Sequence, residues 1–217
     1  MEINTGARRL VDVSTFRQKT VAFMDSLNDF IRKTCRELLV PVVDLAAVFG
    51  APGRSDLLDP RYAIGDNAHL NIDGQRRIAK AMMDDYFRDA EDYQVILCLG
   101  DSHTQGFPVR DVSRNGHIID LEEDSPHQFP YWLAKETGKN FINRGIAGNT
   151  IYGIMNRFET EVLPHFPDHC IIQGGTNDSL LGMPLEDSKE DLQKVIEKCI
   201  EADIVPVVGT VIPLGFE

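Results

Sequence analysis

Five short runs with β character, at residues 42–45, 95–99, 140–143, 170–173 and 204–211, are separated by long stretches of helical period. Most are apolar throughout rather than alternating, the pattern of strands buried on both faces. Strands of that kind belong to a parallel sheet, and parallel neighbours need crossover connections that the helical stretches between them can supply. The chain is therefore expected to fold as α/β, with a parallel sheet covered by helices on both sides.

The helices announce themselves by their ends. Thr15 and Gln18 have capping-box spacing ahead of a stripe of Phe16, Phe23, Leu27, Phe30, Ile31 and Leu38. Ser125, Pro126 and Gln128 read as an N-cap, a first-turn proline and a capping partner, with Pro130 leaving the start open by a turn and Gly138 as the stop. Leu192, Val195, Ile196 and Cys199 form one further apolar stripe, and Ile78, Met82 and Tyr86, after Asp73-Gly74, another. Such stripes are core-packing faces. Residues 50–71 and 106–124 carry no regular pattern and are candidate functional loops.

Composition narrows the function classes. A chain of 217 residues that is 42% hydrophobic can bury a sizeable core in one domain. Twelve more acidic than basic groups give a net charge of -12, the wrong sign for a phosphate backbone or an anionic membrane surface. No run approaches the roughly 18 to 20 apolar residues of a membrane span, and Met1 to Leu10 does not resemble a signal peptide. A soluble, cytoplasmic protein without nucleic-acid partners is expected, and a homo-oligomer is compatible with the sequence. Cys35, Cys98, Cys170 and Cys199 lie far apart among mostly apolar neighbours and read as buried thiols. His165 and His169 have metal-like spacing, but Pro164 and Pro167 break the helix that would aim both rings together, and no metal is expected. The acidic run Asp120, Glu122, Glu123, Asp124 reads as a solvated surface.

Candidate chemistry sits where strands end. Gly100-Asp101-Ser102 follows the apolar run 95–99 directly, placing a serine at the carboxyl end of a buried strand, where open α/β sheets bind ligands. The surrounding residues form neither a G-x-S-x-G elbow nor a phosphate-binding loop. A serine hydroxyl needs a base, and Asp66-Asn67-Ala68-His69 offers an imidazole with a carboxylate three residues earlier to hold its tautomer. Two further segments, residues 143–149 (NRGIAGN) and 174–178 (GGTND), bring glycine amides and side-chain amides that could receive an oxyanion. Asp101 and Asp178 each flank a tight turn and read as backbone-binding aspartates, and His103 is expected to point away from the chemistry of its neighbour Ser102.

Together, Gly100-Asp101-Ser102, Gly145-Ile146-Ala147-Gly148, Gly175-Thr176-Asn177-Asp178 and Asp66-Asn67-Ala68-His69 resemble the four blocks of the SGNH hydrolases, the GDSL lipases and esterases. That resemblance implies a three-layer α/β/α sandwich with a five-stranded parallel sheet, and ester hydrolysis without a cofactor. It implies Ser102 as nucleophile, His69 as base, Asp66 as its orienting carboxylate, and an oxyanion hole from the backbone of Ser102 and Gly148 and the side chain of Asn177. The substrate would be a small-molecule ester, and the mixed polarity of residues 49–62 and 106–124 suits a small or short-chain acyl group. The alternative is a ligand-binding protein or scaffold that keeps the fold without turnover.

In that family the serine block comes first and the Asp-His block last, whereas here Asp66 and His69 precede Ser102. The chain therefore reads as a single, circularly permuted domain over residues 1–217. Residues 1–87 correspond to the family's C-terminal part, 94–217 to its N-terminal part, and 88–93 form the linker. The new ends would lie on the catalytic side of the sheet. An exchanged dimer, with His69 completing the serine site of a second copy, would serve the same order. An imidazole base must be neutral, so activity is expected to fall below roughly pH 6 to 7.

Overall fold

The structure is a computed structural model that describes residues 13–90, 93–107 and 125–215. Along the chain run α1 (Val13–Glu37), β1 (Val42–Val43), α2 (Leu45–Phe49), the hairpin β2 (Gly50–Ala51) and β3 (Arg54–Leu58), and α3 (Ile72–Met82). There follow β4 (Val95–Gly100), α4 (Ser102–Gln105), α5 (Phe129–Thr137), β5 (Asn140–Gly145), α6 (Ile151–Asn156) and α7 (Phe158–Glu161). β6 (His169–Gln173), α8 (Thr176–Leu181), α9 (Leu185–Glu201) and β7 (Val205–Gly209) complete it.

Strands β1, β7, β6, β4 and β5 lie side by side in that order, all parallel, in one five-stranded sheet. Each of the five strands expected from the sequence is present. Because side chains alternate faces along a strand, β4 sends Ile96 and Cys98 to one side and Leu97 and Leu99 to the other. Strand β6 does the same with Ile171 against Cys170 and Ile172. One face packs on Met24, Leu27 and Ile31 of α1 and on Leu192, Val195 and Ile196 of α9. The opposite face packs on Ile78 and Met82 of α3 and on Phe129 and Leu133 of α5. The result is the three-layer α/β/α sandwich, with a separate apolar core on each side of the sheet.

The N-terminal strand β1 pairs with the C-terminal strand β7, Val42 opposite Val208. Counted from β4 and continued through β1, the sheet has the order second, first, third, fourth, fifth. The direction of winding reverses between β4 and β6, and the crevice at such a reversal, beyond the carboxyl ends of the strands, is where open α/β sheets place ligands.

Several helix ends differ from expectation. Helix α1 already includes Val13, so Thr15 and Gln18 lie inside it and do not form its capping box. Helix α5 starts at Phe129 with Pro130 in its first turn, where the missing N–H costs nothing. Ser125 instead forms a turn, its Oγ 3.4 Å from the His127 amide. Helix α3 starts two residues before Gly74, capped by the Asn71 side chain accepting from the Gly74 N–H at 2.9 Å. Its last turn widens into a π-helix at Met83–Phe87, which carries Tyr86 to His169, with Tyr86 Oη 2.8 Å from Nε2. The patternless stretch 50–71 holds the β2–β3 hairpin and a 3₁₀ turn at Pro60–Tyr62. His165 turns to Arg144, at 3.0 Å, so the two histidines of the metal-like spacing face different partners. All four cysteines are buried and unpaired. The acidic run at 120–124, most of the 106–124 loop and both chain ends lie outside the described residues.

Candidate active site

Strand β4 stops at Gly100, and the chain turns at once into α4. Asp101 makes that turn: its Oδ1 accepts the His103 N–H at 2.9 Å, capping a helix whose first residue is Ser102. A first-turn amide has no partner within its own helix. Gly106, in the left-handed region at φ 88°, closes α4 by donating its N–H to the Ser102 carbonyl at 3.0 Å.

The Asp66 to His69 segment is folded by one carboxylate. Asp66 Oδ1 accepts the backbone N–H groups of Ala68 at 3.0 Å and His69 at 2.8 Å, while Asn67 between them takes the left-handed conformation that asparagine tolerates. Asp66 Oδ2 lies 2.6 Å from His69 Nδ1, and His69 Nε2 lies 3.0 Å from Ser102 Oγ. Burial pushes the Asp66 carboxyl up, but the His69 and Ala68 amides and the His69 ring outweigh it and hold it below the usual carboxylate range. Phe107 packs against the His69 ring with centroids 4.3 Å apart. The loop rests on the C-terminal stretch, where Asn67 O accepts the Gly215 N–H at 2.7 Å and Leu214 O accepts that of Leu58 at 3.1 Å.

His103 is buried and its ring centroid lies 5.7 Å from that of His69. Burial, reinforced by His69, holds its pKa down to about 3, so the ring stays uncharged. Its backbone carbonyl accepts from Gln75 Nε2 at 3.0 Å, and Gln75 Oε1 accepts the Phe129 N–H at 3.0 Å. A single buried amide thus ties α3, α4 and α5 together behind the serine.

Strand β5 delivers the second glycine segment. Gly145 is pressed against α4 so closely that a Cβ there would sit 2.1 Å from the Gln105 amide nitrogen. Ile146 donates its N–H to Gly100 O at 3.0 Å, and Ala147 donates to Gln105 Oε1 at 2.7 Å. The turn then passes through Gly148 at φ 81° to Asn149. Asn149 O accepts one N–H of the Asn177 side chain at 2.8 Å. A primary amide has two N–H donors, so the second remains for another acceptor.

The hydrogen bonds join Asp66, His69 and Ser102 directly. They join Asn177 to the Gly148 turn through Asn149, and that turn to the Ser102 turn through Ile146 and Gly100. Asp101 is fully buried, and burial, with the nearby Asp178 carboxylate adding to it, pushes its pKa up to about 7. Asp101 binds its own turn as expected. Asp178 reaches further, accepting the Ile151 N–H at 3.0 Å and the Ser188 hydroxyl at 3.0 Å. Gln105, Phe107, Asn149 and Arg157 hold the site together without having stood out as site residues in the sequence. Only Asn149, inside the glycine segment, carried a local signal.

Among the described residues, a pocket of about 690 Å³ is lined by Ala51, Leu57, Pro60 and Ile64, with Gly65 and Asn67 on either side of Asp66. Part of the 49–62 stretch therefore walls a space beside the Asp66 loop, but neither Ser102 nor His69 lines it. No helix among the described residues is long and apolar enough to cross a membrane.

The sequence model of the GDSL-like Lipase/Acylhydrolase family matches residues 98–217. That span contains Ser102, Gly148 and Asn177; Asp66 and His69 stand before it. The uncharacterized lipoprotein YqeF of Bacillus subtilis (strain 168) is 28% identical over 130 residues, 56% of this chain and 50% of that protein. The chain thus spans about half the length of the curated relative it matches. Among solved structures, the psychrotrophic esterase EstA from Pseudoalteromonas sp. is 21% identical with a TM-score of 0.43, over 53% of this chain and 58% of that one. The SGNH-hydrolase family esterase AlinE4 is 23% identical with a TM-score of 0.41, over 56% of this chain and 60% of that one.

Proposed function

Because the chain belongs to the GDSL-like lipase/acylhydrolase family, we propose that it is a serine esterase acting on small or short-chain acyl esters. The observation that carries this reading is the line of hydrogen bonds from Asp66 through His69 to the Ser102 hydroxyl, 2.6 Å and 3.0 Å long.

In this reading His69 Nε2 accepts the Ser102 proton as Oγ attacks the ester carbonyl, and Asp66 holds the ring by Nδ1 and balances the imidazolium that forms. The carbonyl oxygen gains negative charge as the tetrahedral intermediate forms. The N–H groups of Ser102 and Gly148 and the free N–H of the Asn177 amide receive it. His69 then protonates the leaving alkoxide. Water, deprotonated by the same ring, releases the acyl group and restores the serine. The protons move between protein groups, substrate and water, so the reading calls for no cofactor.

The order of the blocks is read as a circular permutation. The family match over residues 98–217, with the Asp-His pair placed ahead of it, supports this. So does the pairing of β1 with β7, the first and last strands among the described residues, which supplies from earlier in the chain the strand that should follow β7. The contact between Gly215 and Asn67 accords with a C-terminal stretch on the catalytic side. The intrachain approach of His69 to Ser102 favours a self-contained site over one completed by a second copy.

The test is hydrolysis of p-nitrophenyl esters from acetate to octanoate, with Ser102→Ala alongside, at two protein concentrations. Turnover that is proportional to protein and abolished by the substitution is expected, falling off toward the longer chains. Equal rates from both proteins would remove the serine mechanism. A rate falling faster than protein concentration would favour the exchanged dimer.

A further inference from the structure

We propose that Arg157 is a positioning residue for ester hydrolysis, holding the segment that carries Gly148 and Asn149 and, through it, the Asn177 amide. This rests on the esterase reading above.

Arg157 lies between α6 and α7, with only 13% of its side chain exposed. Its donors reach four acceptors on four different pieces of chain. Nε donates to Asn149 Oδ1 at 2.9 Å, and one terminal nitrogen donates to Arg144 O at 3.0 Å and to Glu161 Oε2 at 2.6 Å. The other terminal nitrogen donates to Gly100 O at 3.1 Å. Gly100 ends the strand that delivers Ser102, Arg144 belongs to the strand that delivers Gly145, and Asn149 follows Gly148. One rigid fork therefore binds the serine strand, the glycine strand and the turn beyond it.

The connection to Asn177 takes one further step. Asn149 is held at its side chain by Arg157, and its backbone oxygen accepts the Asn177 amide at 2.8 Å. Fixing Asn149 orients that amide and leaves its second N–H aimed by geometry rather than by chance rotation. Preorganised donors are what make an oxyanion site effective, because nothing has to reorient as charge develops. A planar guanidinium with its donors in fixed directions suits the task, and a lysine, with one flexible ammonium, does not.

An arginine enclosed this far could serve stability alone, so the test needs readouts that a purely structural role would not move. Arg157→Lys and Arg157→Ala are each expected to lower kcat by about 10-fold or more while changing KM little, less than the 10² to 10³-fold cost of losing a donor outright. Millimolar guanidinium should restore part of the kcat of Arg157→Ala. In an Asn177→Ala background the same substitution should cost less than it does alone, because part of its effect runs through the Asn177 amide. Full multiplication of the two effects, or a change confined to KM, would overturn the proposal. Hydrogen exchange of residues 145–151 supplies a readout that does not depend on turnover. Arg157→Ala should lose protection there, and unchanged protection would overturn the proposal whatever the esterase assay gives. Ser102→Ala hydrolysing as fast as the unsubstituted protein would instead overturn the esterase reading, and the exchange result would still decide whether Arg157 holds this turn.

Discussion

Two buried titratable residues flank Ser102 and pull stability in opposite directions with pH. The Asp101 carboxyl has its folded pKa raised from 3.8 to about 7 by burial and by Asp178, so its contribution is complete below about pH 4 and is lost as pH rises through 7. His103 has its folded pKa lowered from 6.5 to about 3 by burial and by His69, so its contribution is complete above 6.5 and is lost as pH falls toward 3. The windows overlap and largely cancel. Asp101→Asn keeps the shape of the neutral acid and removes only the first effect. Its stability relative to the unsubstituted protein should rise between pH 4 and 7, by up to about 1.4 kcal/mol per pH unit. Urea unfolding at four pH values reads this directly, and parallel profiles would count against it. At the same scale, Asn177→Ala should lower kcat by about 10² to 10³-fold with little change in melting temperature. Turnover left intact would take Asn177 out of the oxyanion site.

At the scale of elements, the junctions of β4 with α4 and of β5 with the Gly148 turn carry the site, and two glycines there act for different reasons. Gly145 is needed for space, since the backbone of Gln105 would lie 2.1 Å from any Cβ and backbone cannot rotate away. Gly145→Ala should therefore cost roughly 3 kcal/mol or more and push α4 off the strand. Gly148 has open space around its Cβ position but sits at φ 81°. Gly148→Ala should cost only about 1 to 2 kcal/mol in stability, from the left-handed backbone. Its effect on kcat should exceed its effect on folding, because relieving that strain rotates the amide. Thermal melts beside ester hydrolysis separate the two, and equal destabilisation by both would refute the distinction.

For the whole molecule, the sheet makes a claim about chain order. Strands β1 and β7 are neighbours at one side, and Gly215 touches the loop that carries Asp66. A reordered chain that starts near residue 94 and joins the present ends by a short flexible linker should keep the same sheet and retain esterase activity within about an order of magnitude. Circular dichroism and the p-nitrophenyl assay check this, and a folded but inert product would mean that the present chain order positions the Asp-His loop.

The sequence by itself determined the layer architecture, because five short runs of β character, most of them apolar throughout, separated by stretches of helical period leave a chain few arrangements other than a helix-covered parallel sheet. It also offered candidates for chemistry, since Ser102, His69, Asp66 and the glycine-amide segments carry reactive groups, most of them next to strand ends, a local feature. Tertiary structure decided what lies between them. Gln75, bridging His103 to Phe129, and Arg157, bridging Gly100 to Asn149, are enclosed polar residues that reach across to partners as far as 54 and 57 residues away. No periodicity marks such a residue. Its place is set by which unsatisfied carbonyls and amides the packed elements bring within reach, and that is known only once the layers have closed. The start of α5 differs for a related reason: the sequence reads Ser125 and Pro126 as its first residues, open by a turn because of Pro130, and the helix begins at Phe129, whose ring is buried in the core.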